Sequence, residues 1–291
     1  MVPLSTFSIV AYDPNRKEWG VAVQSKFLAA GALVMWASAS AGAIATQANA
    51  NVSYGPLGLD MLSTGKTATE VIHLLTQTDE GQASRQIGAV DMFGGSAAYT
   101  GTECMAWAGH IIGDGFACQG NILIPGTIEA MAHKYEKIRG KNGELADWLV
   151  EILAEGQKAG GDKRGQQSAG ILVVHEKGGY LGKTDRYIDL RVDDDTKPIE
   201  KLRTLIELHH LYFGEVDQNR LVELSTYATE IQELLLRTGY YAGSINGNFD
   251  ELTRKSLRTL VGIENLEDRW NGEGDFIDSL VLDFLQNKYK D

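Results

Sequence analysis

The chain has 291 residues, 43% hydrophobic and 8% aromatic, with 27 basic against 39 acidic side chains for a formal net charge of −12. That length suits two domains with ordinary cores, and the acidity argues against a nucleic-acid groove or an anionic membrane surface. Two cysteines, Cys104 and Cys118, are too few for a disulfide scaffold, although they could pair once.

No apolar run approaches the roughly 18 to 20 residues of a bilayer span. The longest, FLAAGALVMWASASAGAIA from Phe27, is diluted by Gly, Ala and Ser and reads as buried strands. The N-terminus lacks the basic region, apolar stretch and small-residue cleavage site of a signal peptide. Cytoplasm is therefore the default location, with periplasmic or cell-wall association left open.

TFSIVAY, the turn DPNRKE and WGVAVQS predict an antiparallel hairpin. Further short strands are expected around Val34, Gly42–Thr46, Gln86–Asp91, Ser96–Thr100 and Phe116–Gln119. Their faces are small or apolar on both sides, as in a sheet between other layers. Thr67-x-x-Glu70 is a capping-box pattern ahead of an apolar helix face. Ile128, Met131, Ala132 and Tyr135 hold a second face, and Leu145, Trp148, Leu149, Ile152 and Leu153 a third that ends at Gly156. Strands return at Ser168–His175 and Tyr187–Val192. The order predicts an α+β fold with helices covering two stacked sheets.

From Lys197 the chain becomes almost wholly helical, with Pro198 in a first helical turn. The stretch FGEVDQN, Phe213–Asn219, breaks the pattern, which places domains at residues 1–213 and 220–291. Trp36, Trp107 and the leucine-rich helices exceed one readily assigned core, so a homodimer or higher homo-oligomer is expected.

DMLSTGKT imitates a phosphate loop, but Asp60 stands where the first glycine is required, so it reads as a loop before a capped helix. His209 and His210 are adjacent and diverge on a helix. Asp193-Asp194-Asp195 lacks calcium-loop spacing and reads as a solvated turn. No metal or cofactor is expected.

The informative residues are polar ones inside small-residue strands. Gln47, Asn49 and Asn51 are spaced two apart, and so are Gln119 and Asn121. In a strand each set points to one side and suits either holding a carbonyl or hydroxyl substrate or satisfying core loops. In AGGDKRGQQSAG, glycines permit a close backbone approach. Asp162 and Arg164 supply opposite charges there, for orienting a ligand or closing a turn.

TFSIVAYDP, GVAVQSKFLAAGA, GAIATQA, YGPLGL, RQIGAVD, TGTECMAWAGH, CQGN, AGGDKRGQQSA and DLRVDDD occur in order over about residues 5–205. Together they resemble a bacterial family of unknown function with an N-terminal-nucleophile (Ntn) hydrolase-like fold. The resemblance implies a four-layer αββα sandwich and brings no substrate; Asp195 departs from an expected histidine. GYYAGSINGNFDELT resembles a peptidoglycan-binding-like helical module, through Gly239-Tyr240, Gly243, Asn246-Gly247, Phe249 and Thr253. There Asn246 replaces the usual Asp and Asp250 the usual Gly.

In an Ntn hydrolase the first residue of the mature chain is the nucleophile and its α-amine, with a pKa of about 7.7 to 8, the base. Thr6, heading the first strand, matches that role, with Lys26 as the charge that tunes it. Asp162 and Arg164 then orient the substrate, a small amide or peptide. Gln47, Asn49, Gln119 and Asn121 bind it. Five residues precede Thr6, so this chemistry requires cleavage after Ser5. Without that cut, the expected role is a non-catalytic protein binding a small polar ligand, its tail serving assembly or glycan contact.

Overall fold

The structure is a computed structural model that describes residues 6–290, and it divides into two compact units, Met1–Ile206 and Glu207–Asp291. Ser5, the residue before the expected cut, lies outside the described residues. In chain order the first unit has β1 (Thr6–Asp13), β2 (Glu18–Ser25), α1 (Gly31–Val34), β3 (Met35–Ser38), β4 (Gly42–Ala48), α2 (Tyr54–Ser63), α3 (Ala68–Gln77), β5 (Arg85–Asp91) and β6 (Ser96–Thr100). There follow β7 (Gly109–Gly113), β8 (Phe116–Asn121), α4 (Thr127–Ile138), α5 (Leu145–Lys158), β9 (Ser168–Val174) and β10 (Arg186–Val192). The helix α6 (Pro198–Phe213) carries the chain into the second unit.

Two antiparallel sheets result, one ordered β10-β9-β2-β1-β8-β7 and one β3-β4-β5-β6. Strand alternation sorts the apolar residues into three cores. Phe7, Ile9 and Ala11 of β1 pack with Met131, Tyr135, Leu149 and Leu153 of α4 and α5. On the other face of the same sheet, Val10, Val21, Val23 and Leu172 meet Ala43, Ala45 and Val90 of the second sheet. That sheet's outer face, with Ile44, Ile87 and Ala89, lies under Leu62, Val71, Ile72 and Leu75 of α2 and α3. The fold is thus an α+β sandwich layered helix, sheet, sheet, helix.

The capping box forms as its spacing predicts: the Thr67 amide donates to Glu70 Oε2 at 2.8 Å and the Glu70 amide to Thr67 Oγ1 at 3.3 Å. Around Val34 the chain makes the single turn α1 before β3, and β7 forms from GHIIG, whose glycines hide its strand character. Trp36 and Trp107 find places within the chain. Trp36 lies over Gly55, where a Cβ would come within 2.1 Å of the indole, and Trp107 packs against the helix-side core. Cys104 and Cys118 are unpaired.

The second unit has β11 (Leu221–Glu223), α7 (Ala228–Arg237), α8 (Glu251–Ile263), β12 (Phe276–Asp278) and α9 (Ser279–Lys288). Its two strands pair antiparallel, too short to register as a periodicity beside the helices. Its core takes in Leu211 together with Leu224, Leu235, Leu257, Leu260, Trp270 and Leu282. The last turns of α6 therefore pack into this unit, and the division falls at Ile206, earlier than the break in hydrophobic pattern after Phe213. Gln232, fully buried, bonds the amides of Asn246 and Gly247 through Oε1 at 3.0 Å each. Its Nε2 reaches Asn246 Oδ1 at 3.0 Å and Thr253 Oγ1 at 3.1 Å. The Asn246 and Asp250 substitutions are thus absorbed structurally: Asn246 receives Gln232, and Asp250 caps α8 through the Thr253 amide at 2.8 Å.

Glu18, at the start of β2, is only 3% exposed, and burial together with the neighbouring Glu144 carboxylate raises its pKa to about 7. The folded chain therefore holds a proton there that the unfolded chain releases near the ordinary carboxylate range. Stability from this group is full below about pH 4.5 and is lost as pH rises through 7. Glu18→Gln is expected to remove a decline of about 3 kcal/mol between those limits, read from urea unfolding at a series of pH values; an unaltered pH profile would refute it.

Candidate functional site

One end of the inter-sheet core is polar. Thr6 pairs in register with Ser25 on one side and Asn121 on the other, and Ser25 pairs with Ser168. By alternation Thr6 and Ser8 share the inward face with Val10, as Gln119 and Asn121 do with Ala117. Gln47 and Gln86 face them from the second sheet, in line with Ala45 and Val90. Thr6, Ser8, Ser25, Gln47, Gln86 and Gln119 have no exposed surface.

Buried polar groups must satisfy one another, and these largely do. Ser8 Oγ donates to Gln47 Oε1 at 2.6 Å and accepts from Gln119 Nε2 at 2.7 Å. Gln86 Oε1 accepts from Gln47 Nε2 at 2.9 Å and from Asn121 Nδ2 at 3.0 Å. Gln86 Nε2 donates to the Gly120 carbonyl at 2.8 Å and to Thr100 Oγ1 at 2.9 Å. Thr100 Oγ1 in turn lies 2.9 Å from His110 Nδ1, whose pKa burial lowers. Thr6 Oγ1 donates to Ser25 Oγ at 3.1 Å. Ser8, Gln86 and Thr100 were not singled out from sequence; the signals available were Ser8 two residues after Thr6, and Gln86 as an amide inside the apolar run RQIGAVD.

Part of the backbone strain lies at this end. Ala29 after β2, Ala48 closing β4 and Ile122 after β8 all have left-handed φ, at 52°, 66° and 54°, a conformation non-glycine residues adopt at a cost. The kink at Ala48 ends the strand before Asn49. Asn49 consequently points to solvent, and Asn51 turns to Asp79 Oδ2 at 3.1 Å, so the amides of TQANAN do not share one side.

The loops that close this end carry the remaining residues. Asp162, 3% exposed, accepts from the Lys26 amide at 3.1 Å and the Arg164 amide at 2.9 Å, and forms an ion pair with the Arg164 guanidinium at 3.3 Å. Arg164 also reaches the Lys26 carbonyl at 3.4 Å, and Leu123 bridges to Asp162. Asp162 thus fastens the end of β2 to the segments after β8 and before β9. The Lys26 ammonium is exposed and donates to the Gln166 carbonyl at 3.2 Å. Among the acids after β10, Asp194 accepts from Gln167 Nε2 at 3.0 Å and Asp195 from the Lys197 amide at 2.7 Å. Among the described residues no group of three or more His, Cys, Asp or Glu side chains could hold a metal ion, and no helix is long and apolar enough to cross a membrane.

A two-sheet sandwich with helices outside and a desolvated polar layer at the head of its central strand defines the class of this unit. Residues 6–202 match the "Family of unknown function (DUF1028)", and the chain belongs to that family. Residues 212–285 match a second family, described as "Putative peptidoglycan binding domain". A similar solved structure is the crystal structure of protein SPO2555 from Silicibacter pomeroyi, itself assigned to DUF1028. It is 27% identical with a TM-score of 0.64, over 72% of this chain and 91% of that one. No curated protein matches.

Gly88 sits between Gln86 and Val90 on β5, where a Cβ would lie 2.1 Å from Gln119 Oε1. Gly88→Ala is expected to push Gln119 off Ser8 and destabilise the chain by about 1–3 kcal/mol. In a double-mutant cycle the same change in a Gln119→Ala background is expected to cost clearly less. Equal costs in the two backgrounds would show that Gln119 is not what the added methyl meets.

Proposed function

We propose that the first unit is an amide hydrolase of the N-terminal-nucleophile type, inactive as the full chain and activated by cleavage before Thr6. The observation that carries this reading is Thr6 itself: a desolvated hydroxyl at the first position of the central strand, bonded to Ser25 and opposite Asn121. Once the bond before it is hydrolysed, the freed α-amine takes the Oγ proton as Oγ attacks the substrate carbonyl. The amine product leaves with that proton, and water then releases the acyl group from the ester on Thr6. An uncut amide nitrogen has no basic lone pair, so the full chain lacks the base.

Backbone amides serve the developing oxyanion, each donor lowering the barrier by about 3 kcal/mol, while Asn121, bonded to Gln86, holds its strand head beside Thr6. Gln47 and Gln119 hold Ser8 and the strand heads in place. Asp162 and Arg164 orient the substrate through the loop they fasten. The Lys26 ammonium, directed to Gln166, favours a second reading, in which the uncut chain binds a small polar ligand without turning it over. The second unit, in either case, attaches the protein to peptidoglycan and hence to the cell wall.

Intact mass spectrometry of the purified protein is expected to reveal a species starting at Thr6, and that species alone should release amine from small amides. Thr6→Ala is expected to abolish both the cut and the turnover; cleavage of substrate by that variant would remove the nucleophile. Purified peptidoglycan sacculi are expected to retain the full chain in a sedimentation assay, and chain left wholly in the supernatant would sink the glycan role.

A further inference from the structure

Among the described residues, β6 (Ser96–Thr100) pairs with β5 alone and ends the sheet β3-β4-β5-β6. The bonds at the two ends of that ladder fix which backbone groups it uses. The Asp91 amide donates to the Gly95 carbonyl at 2.8 Å, and the Gly101 amide to the Arg85 carbonyl at 2.9 Å. Hydrogen-bonded pairs alternate along an antiparallel ladder, so Ala97 and Tyr99 spend their N–H and C=O groups on β5. Those of Ser96, Ala98 and Thr100 point away from the sheet. The neighbouring strand of the other sheet, β7, meets β6 through side chains from beneath. Ser96 Oγ donates to the Gly113 carbonyl at 2.5 Å, and Thr100 Oγ1 lies 2.9 Å from His110 Nδ1.

Sheet edges are ordinarily guarded by lysines, prolines or bulges. The sequence of β6, SAAYT, contains no charge and no proline, and its register with β5 runs unshifted from Ser96 to Thr100. A groove of about 460 Å³ lies along this edge, lined by Thr69, His73 and Gln77 of α3, by Tyr99 of β6 and by Ile112 of β7. No Asp, Glu, Lys or Arg lines it, in a chain that carries 27 basic and 39 acidic side chains. Ile112 stands opposite Ala117, an inter-sheet core residue, yet is 47% exposed because the sandwich is open here. The acids beyond the strand ends are engaged within the chain: Asp114 pairs with Arg139, and Glu103 accepts from Ser84 Oγ at 3.1 Å.

We infer that a second copy of the chain docks on this edge, β6 pairing antiparallel with β6 of the other copy about a two-fold axis through Ala98. The contact is self-complementary, as a symmetric dimer requires. Ala98 stands opposite its own counterpart and Ser96 opposite Thr100, so each outward N–H meets an outward C=O. Charge selects this occupant. Two copies, each of net charge −12, repel unless they meet through a face without charges of its own, and the groove is such a face. The axis stands perpendicular to the sheet, so each layer continues into its own kind. The α3 surfaces around Thr69 and His73 come side by side and Ile112 is covered, which adds the buried surface that five strand residues lack.

Sedimentation velocity of the full chain over a concentration series is expected to reach twice the 31.7 kDa chain mass. Thr69 and His73 are exposed, and the double change Thr69→Glu/His73→Glu sets carboxylates against one another across the axis. That chain is expected to sediment as a monomer with the wild-type circular dichroism spectrum. Ala98→Pro removes an N–H that β5 does not use and is expected to do the same. In hydrogen exchange at high concentration, the Ser96, Ala98 and Thr100 amides of the wild type are expected to exchange at least about tenfold more slowly than in the double-Glu chain. A wild type that stays monomeric at every concentration would overturn the proposal. So would a dimer mass kept by the double-Glu chain, or a dimer whose β6 amides exchange as fast as the monomer's.

Discussion

The sandwich depends on how polar side chains are seated between its two sheets. An amide removed from water without a partner costs several times what a hydrogen bond returns, so Gln47, Gln86, Gln119 and Asn121 can stand inward only where each finds another. Ser8 and Gln86 make this possible. Ser8 joins Gln47 to Gln119, and Gln86 joins Gln47 to Asn121. The sheets are thereby held in one relative register at this end, whereas the apolar contacts of Val10, Val21 and Val90 would tolerate small shifts.

That same network limits what Thr6 can do. Its hydroxyl is bonded to Ser25, and the amides around it, Gln119 Oε1 excepted, are committed to one another and to backbone carbonyls, among them Gln47 Nε2 to the Thr6 carbonyl at 3.4 Å. Chemistry at such a centre has to come from a group outside the network. An α-amine on Thr6 is one, because it is created by removing a bond and needs no rearrangement of the buried amides. The strained Ala29, Ala48 and Ile122 fit a rigid frame of this kind: three non-glycine residues in left-handed conformation persist where the surrounding strands over-determine them.

Much of this was legible in the sequence where periodicity and chemistry coincide. Phe7, Ile9 and Ala11 alternate with Thr6, Ser8 and Val10, which gives both the strand and its two faces. The Thr67 and Glu70 pair marks a helix start because the spacing is the hydrogen bond. Other features are invisible locally. Nothing in TQANAN signals that Ala48 turns left-handed and throws Asn49 outward, since an alanine there carries no positional cue. The network role of Gln86 follows from β5 lying opposite β8, a pairing across sheets that no window of sequence contains. The last turns of α6 continue an unbroken helix while changing the core they pack against, a change that hydrophobic spacing alone does not mark.

Lys26 illustrates the difference between proximity in sequence and function in space. Its position after the strand paired with Thr6 makes it an obvious charge for tuning a nucleophile, yet its amide, not its ammonium, is the group engaged by Asp162. The backbone is held while the side chain runs outward to Gln166. A cation at such a place acts weakly on a buried hydroxyl, because solvent screens it. What Asp162 holds at Lys26 is therefore the course of the backbone as it leaves β2, and the Lys26 side chain adds a second tie from that loop to the segment before β9.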